Sequence, residues 1–203
     1  MMKSSISSFF LKILKNIVIT FFLLLITFQE TKSETLASQT VVTLQKTLKE
    51  ISQNESSDIF LKTLEAVKTL YDAEKMIQMI VGNQWKTITK EEKKKLTQVF
   101  EEYITSNYLR MFKKIKKPSF KLVDEKKIGN DYKLIKTYLI INDNENVEIN
   151  YLLIKNKNGW RIFDVLLAGS VSEIATKKSE FSKYLKNNDI NQLINALKEI
   201  GKL

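Results

Sequence analysis

The side chains that most often run chemistry near neutral pH are missing from this 203-residue sequence, which holds no His and no Cys. Imidazole bases, thiol nucleophiles, disulfides and the usual zinc ligand sets are therefore unavailable. An enzyme on this chain would have to work with carboxylates, Lys, Tyr or Ser. The sequence has no Gly-rich phosphate loop, no G-x-S-x-G elbow, and no pair of acids that spacing alone would bring together in an apolar pocket. Asp72 and Asp164 are the acids best placed beside apolar runs. Each can be read as a buried functional carboxylate or, more commonly, as a group that caps a helix or bonds to backbone amides.

The other conspicuous side chains are lysines, at 93 to 95 and at 113, 114, 116 and 117, bordering the aromatic residues Phe112 and Phe120. Nucleic-acid binding would call for Arg, a groove-reading helix or a stacking module, and with none of these at the lysine clusters no nucleic-acid partner is expected. Of the formal charge of +10, residues 1 to 33 hold Lys3, Lys12, Lys15 and Lys32 against Glu30, a net +3 that leaves +7 for the rest. Two readings of this surplus stand: a compositional bias in a Lys- and Asn-rich, Arg-poor chain, or an attraction for anionic headgroups or acidic partner surfaces.

The first 33 residues read as an address. Lys3, Lys12 and Lys15 precede an apolar run from Ile17 to Phe28, and small residues follow at Thr31 and Ser33. That run rises only about 18 Å as a helix, whereas a span takes about 20 residues. A signal peptide cleaved near Ser33 and a mature protein outside the cytoplasm are expected.

The elements that must position any site follow from periodicity. Val41, Leu44, Leu48 and Ile51 predict an amphipathic helix, as do Phe60, Leu64, Val67 and Tyr71. A third helix through Met76, Ile77, Met79 and Ile80 is expected to stop at Gly82 in a left-handed cap. Thr89 with Glu92 predicts a capping box opening a long helix through Leu96, Phe100, Tyr103, Tyr108, Met111 and Phe112, with Pro118 closing the helical region 38–117. Over 119–168 the period changes to alternation, predicting strands at 120–126, 132–141, 147–155 and 160–167 joined by short turns such as Asn158-Gly159. Two helices within 171–200 close the chain, with Asp189 as N-cap and Gly201 as C-cap. The order predicts an α+β fold, with helices packed on a four-stranded, mainly antiparallel meander. Because the third strand is apolar on both faces, through Tyr151 and Leu153 on one side and Leu152 and Ile154 on the other, the sheet must be covered twice or must enclose something.

Two blocks of residues carry a resemblance. The first runs Leu70-Tyr71-Asp72-Ala73-Glu74-Lys75-Met76 through Val81-Gly82-Asn83-Gln84-Trp85 to Thr87–Glu92. The second is Gly159-Trp160-Arg161-Ile162-Phe163-Asp164-Val165 to Gly169-Ser170-Val171-Ser172-Glu173-Ile174-Ala175, with Ser179-Glu180-Phe181 behind it. In order and spacing the chain resembles the MlaC, or toluene-tolerance, family over about residues 36 to 200, including the closing helix from Asn188-Asp189-Ile190 to Leu197. It departs at Ala168, where members often carry an acid, and at Lys177 and Lys178, where Arg is common.

The resemblance implies a periplasmic phospholipid carrier with no catalytic residues, no metal and no cofactor other than the bound phospholipid. It also implies a curved sheet, a cone of the nuclear-transport-factor kind, enclosing an apolar cavity for acyl chains. The implied partners are an outer-membrane lipoprotein complex and an inner-membrane ABC transporter with its lipid-binding subunit. The candidate lining is Tyr138, Ile140, Val147, Ile149, Tyr151, Phe163 and Val165 from the sheet with Met111 from the long helix, each of which reads equally as ordinary core. Trp85, Gly82 and Gly169 read as structural. Two other functions fit the same pattern, an exported enzyme on such a cone and an adaptor that docks a protein on its apolar face.

Overall fold

In a computed structural model, which describes residues 36–53, 56–142, 145–186 and 189–202, the change of period divides helices from sheet as the sequence predicts. The expected leader over 1–33 lies outside the described residues. Helix α1 (Ala37–Gln53) buries Val41, Leu44, Leu48 and Ile51, and α2 (Ile59–Leu70) buries Ile59, Val67 and Leu70. Helix α3 (Ala73–Val81) starts where the Asp72 carboxylate accepts from the Lys75 N–H at 3.1 Å. Its end differs from the expected left-handed cap. Gly82 has φ +63° but ψ −126°, a region only glycine enters freely, and the chain passes into a 3-10 turn (Gly82–Lys86) that seats Trp85 in the core.

Helix α4 (Lys90–Phe112) opens on both arms of the capping box. Thr89 Oγ1 accepts from the Glu92 N–H at 3.2 Å while Glu92 Oε2 accepts from the Thr89 N–H at 2.8 Å. The sheet follows as β1 (Ser119–Lys127), β2 (Tyr132–Asn142), β3 (Glu145–Asn156) and β4 (Gly159–Leu167), each antiparallel to the last. A fifth strand, β5 (Val171–Ser172), pairs with Leu166 and Leu167, so the sheet has five strands where four are expected. Two residues are too short to show any alternation. Helix α5 (Glu173–Phe181) and helix α6 (Ile190–Ile200) complete the α+β architecture.

One face of the sheet meets the helices. Ile135, Leu139, Ile149, Tyr151, Leu153, Trp160, Ile162 and Val165 are buried there beneath α1 to α5. The register shifts between Leu122 and Asp124 on β1, and again where Leu152 faces Asp164 but Leu153 faces Ile162. Phe163 is thus an extra residue on β4, a bulge that bends the strand and lets Ile162 and Val165 share one face. The opposite face carries Tyr138, Ile140, Leu152 and Ile154, all half-buried.

Candidate functional site

Three local devices hold the elements around the helix-covered face. At the α2–α3 junction the Asp72 N–H donates to the Ile162 carbonyl at 2.8 Å, which docks Tyr71 against β4. At the β4–α5 junction Asp164 accepts from the Val165 N–H at 2.8 Å, the Ile174 N–H at 3.1 Å and Ser172 Oγ at 2.6 Å. Both acids therefore take the backbone-bonding role. Between β4 and β5 the chain reverses at Gly169, with φ +78° and with Glu148 so close that a Cβ would stand 2.7 Å from Oε2. A φ this positive favours glycine, and a Cβ would also have to displace the end of the Glu148 side chain.

These devices frame a cavity of about 380 Å³, within the range of about 300 to 1,000 Å³ typical of ligand sites. Leu139, Ile149, Tyr151, Val165 and Leu167 form its sheet wall. Helix α4 supplies two adjacent i, i+4 rows: Phe100, Ile104, Tyr108 and Phe112, and Tyr103, Asn107 and Met111. Leu48, Tyr71, Met76 and Ile174 fill the gaps between elements. Aromatic rings follow one another along the wall, with centroids 6.3 Å apart for Tyr71 and Tyr108 and 6.1 Å apart for Tyr108 and Phe112. Polar groups gather at the edge, where Asn107, Arg110, Glu173 and Lys177 are half-buried and Met111 is 51% exposed.

The electrostatics follow from burial. The Tyr71 and Tyr108 hydroxyls are hydrogen-bonded to each other. Burial pushes the Tyr71 and Tyr151 phenols well above their ordinary range, and Tyr108 up to about 12, so all three keep their protons. Burial likewise raises Glu173, against the pull of Lys177. Burial works to lower Lys177, but its bonds to Glu180, at 2.8 Å, and to Tyr103 outweigh that and hold it above its usual value. Among the described residues no group of three or more His, Cys, Asp or Glu side chains is arranged to hold a metal ion. No helix there is long and apolar enough to cross a membrane.

Of the residues singled out in the sequence, the structure brings Met111, Ile149, Tyr151 and Val165 together on the wall. Tyr138 and Ile140 point to the other face, since Ile135, Thr137 and Leu139 are the buried positions of β2. Val147 shares the face of Ile149 and packs on the core at the strand's start, but does not line the cavity. Phe163 sits at the bulge and packs edge-on against Tyr132, centroids 5.7 Å apart, away from the wall. Beyond Met111, the sequence reading missed the helical share of the lining. The unbroken four-residue row from Phe100 to Phe112 is the signal that could have found it.

A search among curated proteins finds no match to this sequence. Among solved structures, a phospholipid-binding protein from Ralstonia solanacearum, in complex with a phospholipid, is similar in fold with a TM-score of 0.68. The two are 19% identical, over 82% of this chain and 97% of that one. The family described as MlaC protein matches residues 35–199, a stretch that holds the Asp72 junction, the α4 rows, the sheet wall and the Asp164 anchor together. By that match, over most of its length, this chain belongs to the MlaC family.

Proposed function

We propose that the protein is a periplasmic phospholipid carrier that shuttles lipid between the outer membrane and an inner-membrane ABC transporter, without catalysing a reaction. The observation that carries this reading is the cavity of about 380 Å³ walled by aromatic and aliphatic side chains, with charged groups only at its edge. An acyl chain gains about 0.8 kcal/mol per buried CH₂, so a dry pocket can compete with a bilayer without covalent chemistry or a metal. The headgroup stays at the edge, near Arg110, Glu173 and Lys177. Family membership and the likeness to a phospholipid-bound structure support the same reading. The partners that fit it are an outer-membrane lipoprotein complex and the lipid-binding subunit of the transporter. Export through a leader cleaved near Ser33 puts the chain in the right compartment.

Organic extraction of the purified protein followed by mass spectrometry tests this. Stoichiometric phospholipid is the expected result. Protein that folds and yields no lipid, before or after incubation with vesicles, would instead favour the enzyme or the adaptor.

A further inference from the structure

An otherwise apolar cavity here holds a cluster of hydrogen-bond donors. Tyr71 and Tyr151 are 4% and 2% exposed, Tyr108 is half-buried, and all three line the cavity. Their phenol groups are near enough to act electrostatically on one another. Gln45, 6% exposed, sits beside Tyr151 with its amide directed at the phenol oxygen, and its buried Nε2 makes no hydrogen bond of good geometry. Each phenol carries one proton and the Gln amide two. The Tyr71–Tyr108 bond uses one of these. Each phenol oxygen can also accept, but with the Tyr71–Tyr108 bond made, the Tyr151 hydroxyl, the second hydroxyl of that pair and the Gln45 amide still have protons to give toward the cavity, and a buried donor left without an acceptor is costly.

A ligand that brings acceptors and no protons completes such a cluster. A carboxylate fits poorly, because Glu173 acts on Tyr71 and Tyr108 as a like charge. The nearby cations are also engaged, Arg110 with the Ile200 carbonyl and Asn107, and Lys177 with Glu180. A neutral carbonyl oxygen fits well, with two lone pairs and no charge to desolvate. Glu173, at the cavity's edge, lies near the phenols, so the cluster stands just below the place a headgroup would occupy. On the carrier reading above, we propose that Tyr71, Tyr108, Tyr151 and Gln45 form a polar subsite that receives the acyl-ester carbonyls of the bound phospholipid. The protein thereby prefers ester-linked to ether-linked lipid.

The test is competitive loading. The purified protein is equilibrated with vesicles holding equal amounts of diacyl and dialkyl phosphatidylglycerol of matched chain length, and the lipid it takes up is extracted and weighed by mass spectrometry. One net hydrogen bond is worth about a three- to tenfold enrichment of the ester lipid. Tyr108→Phe and Tyr151→Phe should bring the ratio toward one, and the ratio is read on whatever total of lipid each variant carries. If the wild type takes both lipids equally at full occupancy, the subsite is wrong and the carrier reading stands. If the variants keep the wild-type preference, the phenols are not its source and the proposal fails. If neither lipid is taken up, the carrier reading itself fails and the subsite with it. Isotope-edited infrared spectra of the ester carbonyl in the wild type read the same bond without any substitution. A shift to lower frequency on loading is expected, and a carbonyl band like that of dry hydrocarbon would overturn the assignment.

Discussion

Val165→Asp is the sharpest probe of the cavity. Val165 is 8% exposed on the cavity wall, opposite Tyr151 on β3. An ionised carboxylate there presents about four acceptor sites that call for water. At ~30 Å³ each, four waters take ~120 Å³, about a third of the 380 Å³ available. That is the room of roughly four methylenes, so at ~0.8 kcal/mol each the acyl chain loses ~3 kcal/mol. Retention should fall by about a hundredfold. The assay is lipid remaining on the protein after competition with excess vesicles, measured by extraction and mass spectrometry. Circular dichroism must show a cooperative melt, and Ile149→Asp, at 9% exposure on the neighbouring strand, serves as a second site. Acidifying the sample protonates the new carboxyl and should return part of the lost occupancy. A folded Val165→Asp protein that holds lipid as the wild type does would refute the reasoning, because it would mean that acyl chains do not occupy this space.

N-terminal sequencing of the exported protein is expected to read from near Glu34, whereas recovery of an intact Lys12–Phe28 segment in the membrane fraction would contradict the leader. Gly169→Ala forces a side chain into a φ of +78° and places its Cβ 2.7 Å from Glu148 Oε2. A loss of ~1–3 kcal/mol is expected, seen as a fall in Tm of about 2–4 °C per kcal/mol. Burial raises the Glu173 pKa, so the folded state binds this proton more readily than the unfolded state and the group favours folding increasingly as pH falls through its folded pKa. Glu173→Gln should therefore raise Tm at pH 7, with the gain shrinking as acid protonates the wild type; a gain unchanged between pH 7 and pH 4 would contradict this. Lys113, Lys114, Lys116 and Lys117 are exposed and directly follow Met111 at the cavity's edge. Reversing their charge should slow lipid transfer between vesicles at low salt, leave the amount carried unchanged, and matter little at 1 M salt, where the Debye length is about 3 Å. Transfer indifferent to both salt and charge would leave them as solvated surface.

Where a local device sets the structure, the sequence was legible. The Thr89–Glu92 capping box, the Asn158-Gly159 hairpin with Gly159 at φ +97°, and the Asp189 cap of α6 all form as their chemistry requires. Each expected strand end falls within two residues of the observed one. The facing of β2 was not legible, because both of its alternations are apolar: Leu134, Tyr138 and Ile140 on one side, Ile135 and Leu139 on the other. The polar Thr137 hides the true inner row, since it is buried by giving its hydroxyl proton to the Ile149 carbonyl at 2.6 Å. Tyr71 was legible as part of a helix stripe but not as a cavity residue. What brings it there is a long-range backbone bond from Asp72 to Ile162, which no local pattern encodes.

The extra residue at Phe163 divides β4 into two reading frames. Before it, the even-numbered Trp160 and Ile162 face the core, and after it the odd-numbered Val165 and Leu167 line the cavity. At this chain length the facing depends on the bulge. Pairing the same residues in strict alternation would turn Val165 and Leu167 outward and bring Leu166 and the Asp164 carboxylate to the wall, away from the Ser172 hydroxyl and the Ile174 amide that now hold it. Deleting Phe163 would instead restore strict alternation with Val165 and Leu167 still inward, and would remove only the bend. The wall should therefore survive the loss of this one residue, whereas a change that irons out the bulge without shortening the strand would exchange the chemistry at its cavity end and leave its core end in place.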